Sequence, residues 1–162
     1  MLQEQYWSTY TKSAPIHDKW TLIEPTVNDT QLRSAIYINN NLISPSRITP
    51  LSLPFNDVMA AAITITNTKP MLIINIYNPC NQSIITELHE YLRENINTQD
   101  YGTIVVGGDF NAHHPLWNPK TYTRHDEEGD AIVEMMTELE LNLMLPAGSI
   151  TYPHADTTID LV

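Results

Sequence analysis

Cysteine, basic side chains and long apolar runs are all scarce in this chain. Its single cysteine, Cys80, has no partner for an internal disulfide, and no Cys/His spacing resembles a structural zinc site. Lys and Arg number 8 against 19 Asp and Glu, a formal net charge of −11. Affinity for a phosphate backbone ordinarily comes from basic side chains that displace condensed counterions. Those present are scattered: Lys12, Lys19, Arg33, Arg47, Lys69, Arg93, Lys120 and Arg124. On charge alone a freestanding DNA binder is disfavoured, and a bound divalent cation offsets that only locally. No apolar run is long enough to span a membrane. The opening Met1-Leu2-Gln3-Glu4-Gln5 lacks the basic and apolar blocks of a signal peptide. The expectation is a soluble intracellular chain.

What is present suits one folded domain over residues 1–162: the length fits, and 42% of the residues are apolar, enough for a core. There is no repeat and no low-complexity tract, and the 11 prolines punctuate short elements. Segments rich in Ile, Val, Thr and Tyr predict strands at Trp20–Ile23, Arg33–Ile38, Val58–Thr66, Met71–Tyr77 and Thr103–Val106. The uninterrupted runs Met71-Leu72-Ile73-Ile74 and Ile104-Val105-Val106 suit central strands covered on both faces. After Ser83, a residue type favoured at helix N-caps, Ile85, Leu88, Leu92 and Ile96 recur at helical spacing. Ile132, Met135, Met136 and Leu139 do the same, behind an acidic Asp126-Glu127-Glu128 that favours a helix start. Thr157–Val162 reads as a further strand. Strands interleaved with helices, several of them hairpin-paired, predict a layered α/β sandwich.

Chemistry concentrates in Gly107-Gly108-Asp109-Phe110-Asn111-Ala112-His113-His114. Asp109 and Asn111 lie just beyond an apolar strand, and side chains two apart in extended chain point to one side. Carboxylate and amide oxygens are hard ligands for Mg²⁺ or Mn²⁺, and a carboxylate there can hold or deprotonate a water. Taken alone, Asp-x-Asn is more often a plain turn. The adjacent His113 and His114 point apart and lack a third zinc ligand, and Trp117 reads as a packed loop anchor before a stacking platform.

Gly-Asp-Phe-Asn after a buried strand resembles the signature of the exonuclease–endonuclease–phosphatase superfamily. Its continuation Ala112-His113-His114-Pro115-Leu116-Trp117 resembles the endonuclease domain carried by reverse transcriptases of non-LTR retrotransposons. Further blocks come in family order: Leu2-Gln3-Glu4, Arg33-Ser34-Ala35-Ile36-Tyr37, Tyr77-Asn78-Pro79 and Thr158-Ile159-Asp160-Leu161. The resemblance implies a four-layer α/β sandwich that hydrolyses phosphodiesters with Mg²⁺ or Mn²⁺, with DNA as substrate.

It also implies roles. Glu4 would hold the metal, with Asp109 and Asn111 as further ligands. Tyr77 would donate a hydrogen bond to the scissile phosphate or help orient the nucleophile. Asp109 would position and activate the attacking water, Asn111 would bind the phosphate or a metal-bound water, and Asp160 would orient a catalytic His. His114 and Asn78 would stand on the substrate side. The chain departs from the pattern at both ends. Met1 stands directly before Leu2-Gln3-Glu4, where the family has an opening βαβ portion, and Val162 comes before the family's Ser-Asp-His strand. The expectation is therefore a copy truncated at both ends, drawn from a larger polyprotein with a reverse transcriptase and nuclear if it serves one. Two alternatives stand beside it: an inactive domain or binding module, and a small-molecule phosphodiesterase or phosphatase of the same superfamily.

Overall fold

The apolar run that begins at Met71 becomes an interior strand. The computed structural model describes residues 1–3, 8, 13–24, 33–80 and 84–162. Its elements are β1 (Leu2–Gln3), β2 (Trp20–Ile23), β3 (Ser34–Asn39), β4 (Ile48–Leu51), β5 (Val58–Ile63), β6 (Met71–Tyr77), α1 (Ile85–Asn95), β7 (Thr103–Asp109), α2 (Glu127–Glu138) and β8 (Asp160–Leu161). The chain divides into two compact units. One comprises Met1–Tyr77 with Gln99–Gly108, the other Asn78–Thr98 with Asp109–Val162.

The first unit holds two sheets. One runs β1-β3-β2, with both pairs antiparallel and Leu22 opposite Tyr37. The other runs β4-β5-β6-β7; β4, β5 and β6 are antiparallel, with Ala60 opposite Ile74. At its start β7 lies beside Pro70, to which Gly102 N–H donates, and at its end beside Ile76, so it runs parallel to β6. A parallel pair requires a crossover connection, and the intervening chain carries α1. The sheets pack face to face through β1, β2 and β3 against β5 and β6. Ile23, Ile36, Ile38, Met59, Ala61 and Ile63 form the core between them. Leu72, Ile74 and Ile76, on the opposite face of β6, are at most 1% exposed, so the strand is covered on both faces as its continuous apolar run predicts.

One polar residue interrupts this core. Asn75 of β6 is fully buried, and its amide donates to Ser34 Oγ at 2.8 Å and to the Ala35 carbonyl at 3.0 Å. Ser34 Oγ returns a bond to the Asn75 carbonyl at 3.1 Å. These reciprocal bonds fix the register between the two sheets, because a buried amide left unpaired is costly.

In the second unit α1 packs against α2. Ile85, Leu88 and Leu92 on one helix and Ile132 and Met135 on the other are buried, the faces their spacing predicts. His89 joins the seam: its Nε2 lies 2.8 Å from Glu138 of α2, off the direction of a good hydrogen bond. Asp126 is the N-cap of α2, accepting from Gly129 N–H at 2.7 Å. Ser83, the expected cap of α1, lies outside the described residues; the N-cap position is Ile84, whose side chain makes no capping bond.

The elements are those of a mixed α/β chain. Several bounds differ from the sequence reading: β3 lies one residue later than Arg33–Ile38, and β7 runs past Val106 to Asp109. Strand β4 was not foreseen, because Pro50 lies within it. It is an edge strand, where a missing N–H costs no ladder bond. Strand β5 stops at Ile63 rather than Thr66, ahead of a turn with Asn67 at φ 62°. The closing strand shrinks to Asp160–Leu161, because Thr157 and Thr158 are engaged elsewhere: Thr157 bridges to Tyr152, and Thr158 N–H donates to Asn118. No helix among the described residues is long and apolar enough to cross a membrane.

Replacing Asn75 by Ala removes the amide that donates to Ser34 Oγ and to the buried Ala35 carbonyl, while Ser34 keeps its bond to the backbone carbonyl of residue 75. Urea unfolding is expected to register a loss of about 2–3 kcal/mol. A loss below about 0.5 kcal/mol would remove Asn75 as the register-setting contact.

Candidate active site

Asp109 is the last residue of β7, and the chain turns immediately after it. Phe110 is 2% exposed and anchors the turn. Asn111 takes the left-handed conformation at φ 46°, one that Asn tolerates better than most residues. Its N–H donates to Asp109 Oδ1 at 3.1 Å, closing an Asx-type turn. The expectation of two side chains on one face of an extended strand thus gives way to a different local cause. The strand has ended, and the Asp109 carboxylate draws the backbone of Asn111 around itself.

This turn rests on Asn78. Asn78 N–H donates to the Asp109 carbonyl at 2.8 Å, and the Asn78 carbonyl accepts from Asn111 Nδ2 at 2.9 Å. Asn78 Nδ2 donates to the Phe110 carbonyl at 2.9 Å and to Glu128 Oε2 of α2 at 3.1 Å. At 2% exposure Asn78 has its amide nitrogen committed inside the protein, beneath the turn. Because Asn111 Nδ2 is held by a backbone carbonyl, its Oδ1 is the end of the amide that remains for a cation or a bound water. On the other flank Phe110 N–H donates to the Ile159 carbonyl at 2.9 Å, which sets Asp160 on β8 next to the turn.

The two histidines diverge as expected. The His113 ring stacks at a tilt on Tyr122 at 5.4 Å, while that of His114 meets Trp117 at 5.2 Å. His114 Nδ1 accepts from Leu116 N–H at 3.0 Å, and its Nε2 is 3.8 Å from Asp130. His125 Nδ1 lies 3.0 Å from the same carboxylate. Trp117 is 1% exposed and donates to the Ala112 carbonyl, a packed anchor with no face available for a base. The first turn of α2 is clamped to this loop: Asp126 N–H donates to the His113 carbonyl at 3.1 Å, and Asp126 Oδ2 accepts from His113 N–H at 3.0 Å. Gly129 makes the approach possible, since a Cβ there would sit 2.4 Å from the His113 carbonyl oxygen.

Tyr77 belongs to the first unit. The Arg33 guanidinium carbon lies 4.7 Å from its ring centroid, a cation–π arrangement. Arg33 also forms a bidentate pair with Asp57, Nε donating to Oδ1 at 3.1 Å and Nη2 to Oδ2. The hydrogen bond with Asp57 raises the Arg33 pKa against the opposing effect of burial, and the charges of Asp57 and Tyr77 add to it. Gly108 seats the end of β7 in this unit, at φ +146°; an added Cβ would lie 1.9 Å from the Ile76 carbonyl oxygen.

Asn78, Asp109, Asn111, His114 and Asp160 therefore fall together in the second unit, and Tyr77 in the first. Glu4 lies outside the described residues. The sequence reading missed Arg33, Asp57, Asn118, Glu128 and Gly129 as supports. Arg33 stood inside a quoted family block, Glu128 closed the acidic helix start and Gly129 followed it, but nothing in their spacing gave them partners. Among the described residues no group of three or more His, Cys, Asp or Glu gathers into a metal cage. The donors the turn does offer, the Asp109 carboxylate and the Asn111 amide oxygen, are hard oxygen ligands of the kind Mg²⁺ takes.

Gly129→Ala is expected to force the first turn of α2 away from His113. The predicted cost is about 1–3 kcal/mol by thermal unfolding, with loss of protection of the Asp126 amide in hydrogen exchange. Unchanged protection at Asp126 would show that the clamp does not depend on this glycine.

The sequence profile described as endonuclease–reverse transcriptase matches residues 71–162, more than half of the chain. The matched span carries Tyr77, Asn78, Asp109, Asn111, His114 and Asp160. A search of the curated proteins returns no match. With its Gly-Asp-Phe-Asn turn at the end of a buried strand, the chain belongs to the endonuclease–reverse transcriptase family, an endonuclease domain of the exonuclease–endonuclease–phosphatase type.

Proposed function

We propose that this domain hydrolyses phosphodiesters with a divalent metal and that its substrate is DNA, which it nicks as the endonuclease part of a retroelement polyprotein acting in the nucleus. The supporting observation is the turn seated on Asn78, which presents the Asp109 carboxylate and the Asn111 amide oxygen from a rigid base. Preorganised ligands of this kind lower a barrier because they need not be arranged during the reaction. In this reading the family's four-layer sandwich is the architecture to which the two face-packed sheets of the first unit correspond.

Asp109 holds the attacking water and takes up its proton. Asn111 fixes a phosphate oxygen or a metal-bound water through Oδ1, and Tyr77 donates its phenolic hydrogen to the phosphate or orients the nucleophile. Asp160 orients an imidazole, and His114 braces the turn through Trp117 and Asp130. Glu4, Asp109 and Asn111 are the residues that would hold Mg²⁺ or Mn²⁺, whose charge offsets that building on the phosphate oxygens. A cation also answers the local electrostatics. Asp126, Glu127, Glu128 and Asp130 crowd the start of α2, and a phosphate brought near them without a counter-charge would be repelled.

The test is nicking of supercoiled plasmid with Mg²⁺ or Mn²⁺ and with chelator. Nicking that requires the metal and falls at least about 100-fold in Asp109→Ala supports the reading. The net charge of −11 favours a second reading, a small phosphodiester as substrate; turnover of such a compound with no plasmid nicking would establish it. Calorimetry with Mg²⁺ completes the set. Binding heat that vanishes in Asp109→Ala is expected, whereas no heat and no turnover would mark an inactive domain.

A further inference from the structure

Three strand ends meet at one place in the first unit. Arg33 immediately precedes β3, Asp57 immediately precedes β5, and Tyr77 closes β6. β3 belongs to one sheet, β5 and β6 to the other. Arg33 spans them with its fork on the Asp57 carboxylate and its flat face over the Tyr77 ring at 4.7 Å. Asp57 works from both ends: its carboxylate takes the guanidinium, and its carbonyl accepts from Tyr77 N–H at 2.9 Å. The Asp57 side chain is 10% exposed and that of Arg33 35% exposed. A pair so placed is a weak source of stability, because desolvation cancels much of its attraction. Joining two sheets that already share an apolar core does not require it.

What the pair does provide is a tyrosine ring fixed at its backbone by the Asp57 carbonyl and at its face by the Arg33 guanidinium. A cation held over the face of a phenol draws electron density from the ring, so the hydroxyl becomes a stronger donor to a third group. We propose that Arg33 is a positioning residue for Tyr77: it orients the phenol and lends it positive charge, so that the hydroxyl is poised to donate to an anionic phosphate oxygen. This rests on the reading that Tyr77 meets the phosphate. Asp57 in turn is the brace that keeps the guanidinium flat against the ring. Lysine would retain the charge but not the fork, since an ammonium cannot match a carboxylate bidentately while stacking on a ring.

The experiment follows the Tyr77 ring directly, by NMR of the full chain labelled with ¹³C at the tyrosine ζ-carbon and assigned with Tyr77→Phe. Arg33→Met takes the positive charge off the face of the phenol, so the Tyr77 titration midpoint is expected to move up by about one pH unit. Arg33→Lys should restore much of that shift. If Arg33→Met does not fold, Arg33→Gln serves in its place and should move the midpoint in the same direction. A midpoint unmoved in a folded variant overturns the proposal. Where plasmid nicking is measurable, Arg33→Met should lower kcat about 10-fold or more with KM nearly constant and shift the alkaline limb of the pH profile. A KM effect alone would make Arg33 a substrate-binding residue instead and overturn the positioning role. Tyr77→Phe with parental nicking would sink the underlying reading of Tyr77, even where the NMR shift confirms the Arg33–Tyr77 coupling.

Discussion

Asn78 ties the turn after β7 to the rest of the second unit through four hydrogen bonds, two from its backbone and two from its amide. A turn containing Asp109, a buried Phe110 and a left-handed Asn111 has little intrinsic reason to hold one shape. Buried donors and acceptors must be paired, and Asn78 offers those of residues 109–111 a single arrangement. Glu128 extends the constraint to the start of α2, and the clamp between Asp126 and His113 repeats it one step along the chain. The candidate catalytic groups thus inherit their position from residues that need never touch a substrate.

Electrostatics sets the second constraint. A phosphodiesterase must bring an anion to its site, yet this chain carries a net charge of −11 and gathers four acidic residues at the head of α2. Carboxylates in such a place either repel a phosphate or share a cation with it. Proposed metal dependence follows from that choice as much as from the nature of the ligands. In the first unit Arg33 balances Asp57 and leaves a face of positive charge on Tyr77.

Much of the architecture could be read from residue order. The run Met71–Ile74 announced a doubly covered strand, and the spacing of Ile85, Leu88 and Leu92 announced the buried face of α1. Trp117 proved to be the packed anchor that its place beside two histidines suggested. Strand β4 escaped notice because Pro50 reads as a break, while at a sheet edge its missing N–H costs nothing. The site was legible as a set of residue types but not as a geometry. Alternation along a strand predicted that Asp109 and Asn111 share a face; they meet instead through an Asx-type turn, which depends on φ at Asn111.

The sequence by itself determined the family and the main strands and helices, and it marked Asp109, Asn111, Tyr77 and Asp160 as candidate site residues. Those are properties of side-chain chemistry and of local periodicity. Only the tertiary structure decided that Asn78 lies under the turn, that Glu128 reaches it across 50 positions, and that Arg33 and Asp57 grip Tyr77. Such contacts join residues far apart in the chain, and their energies depend on burial and direction, which no local pattern encodes.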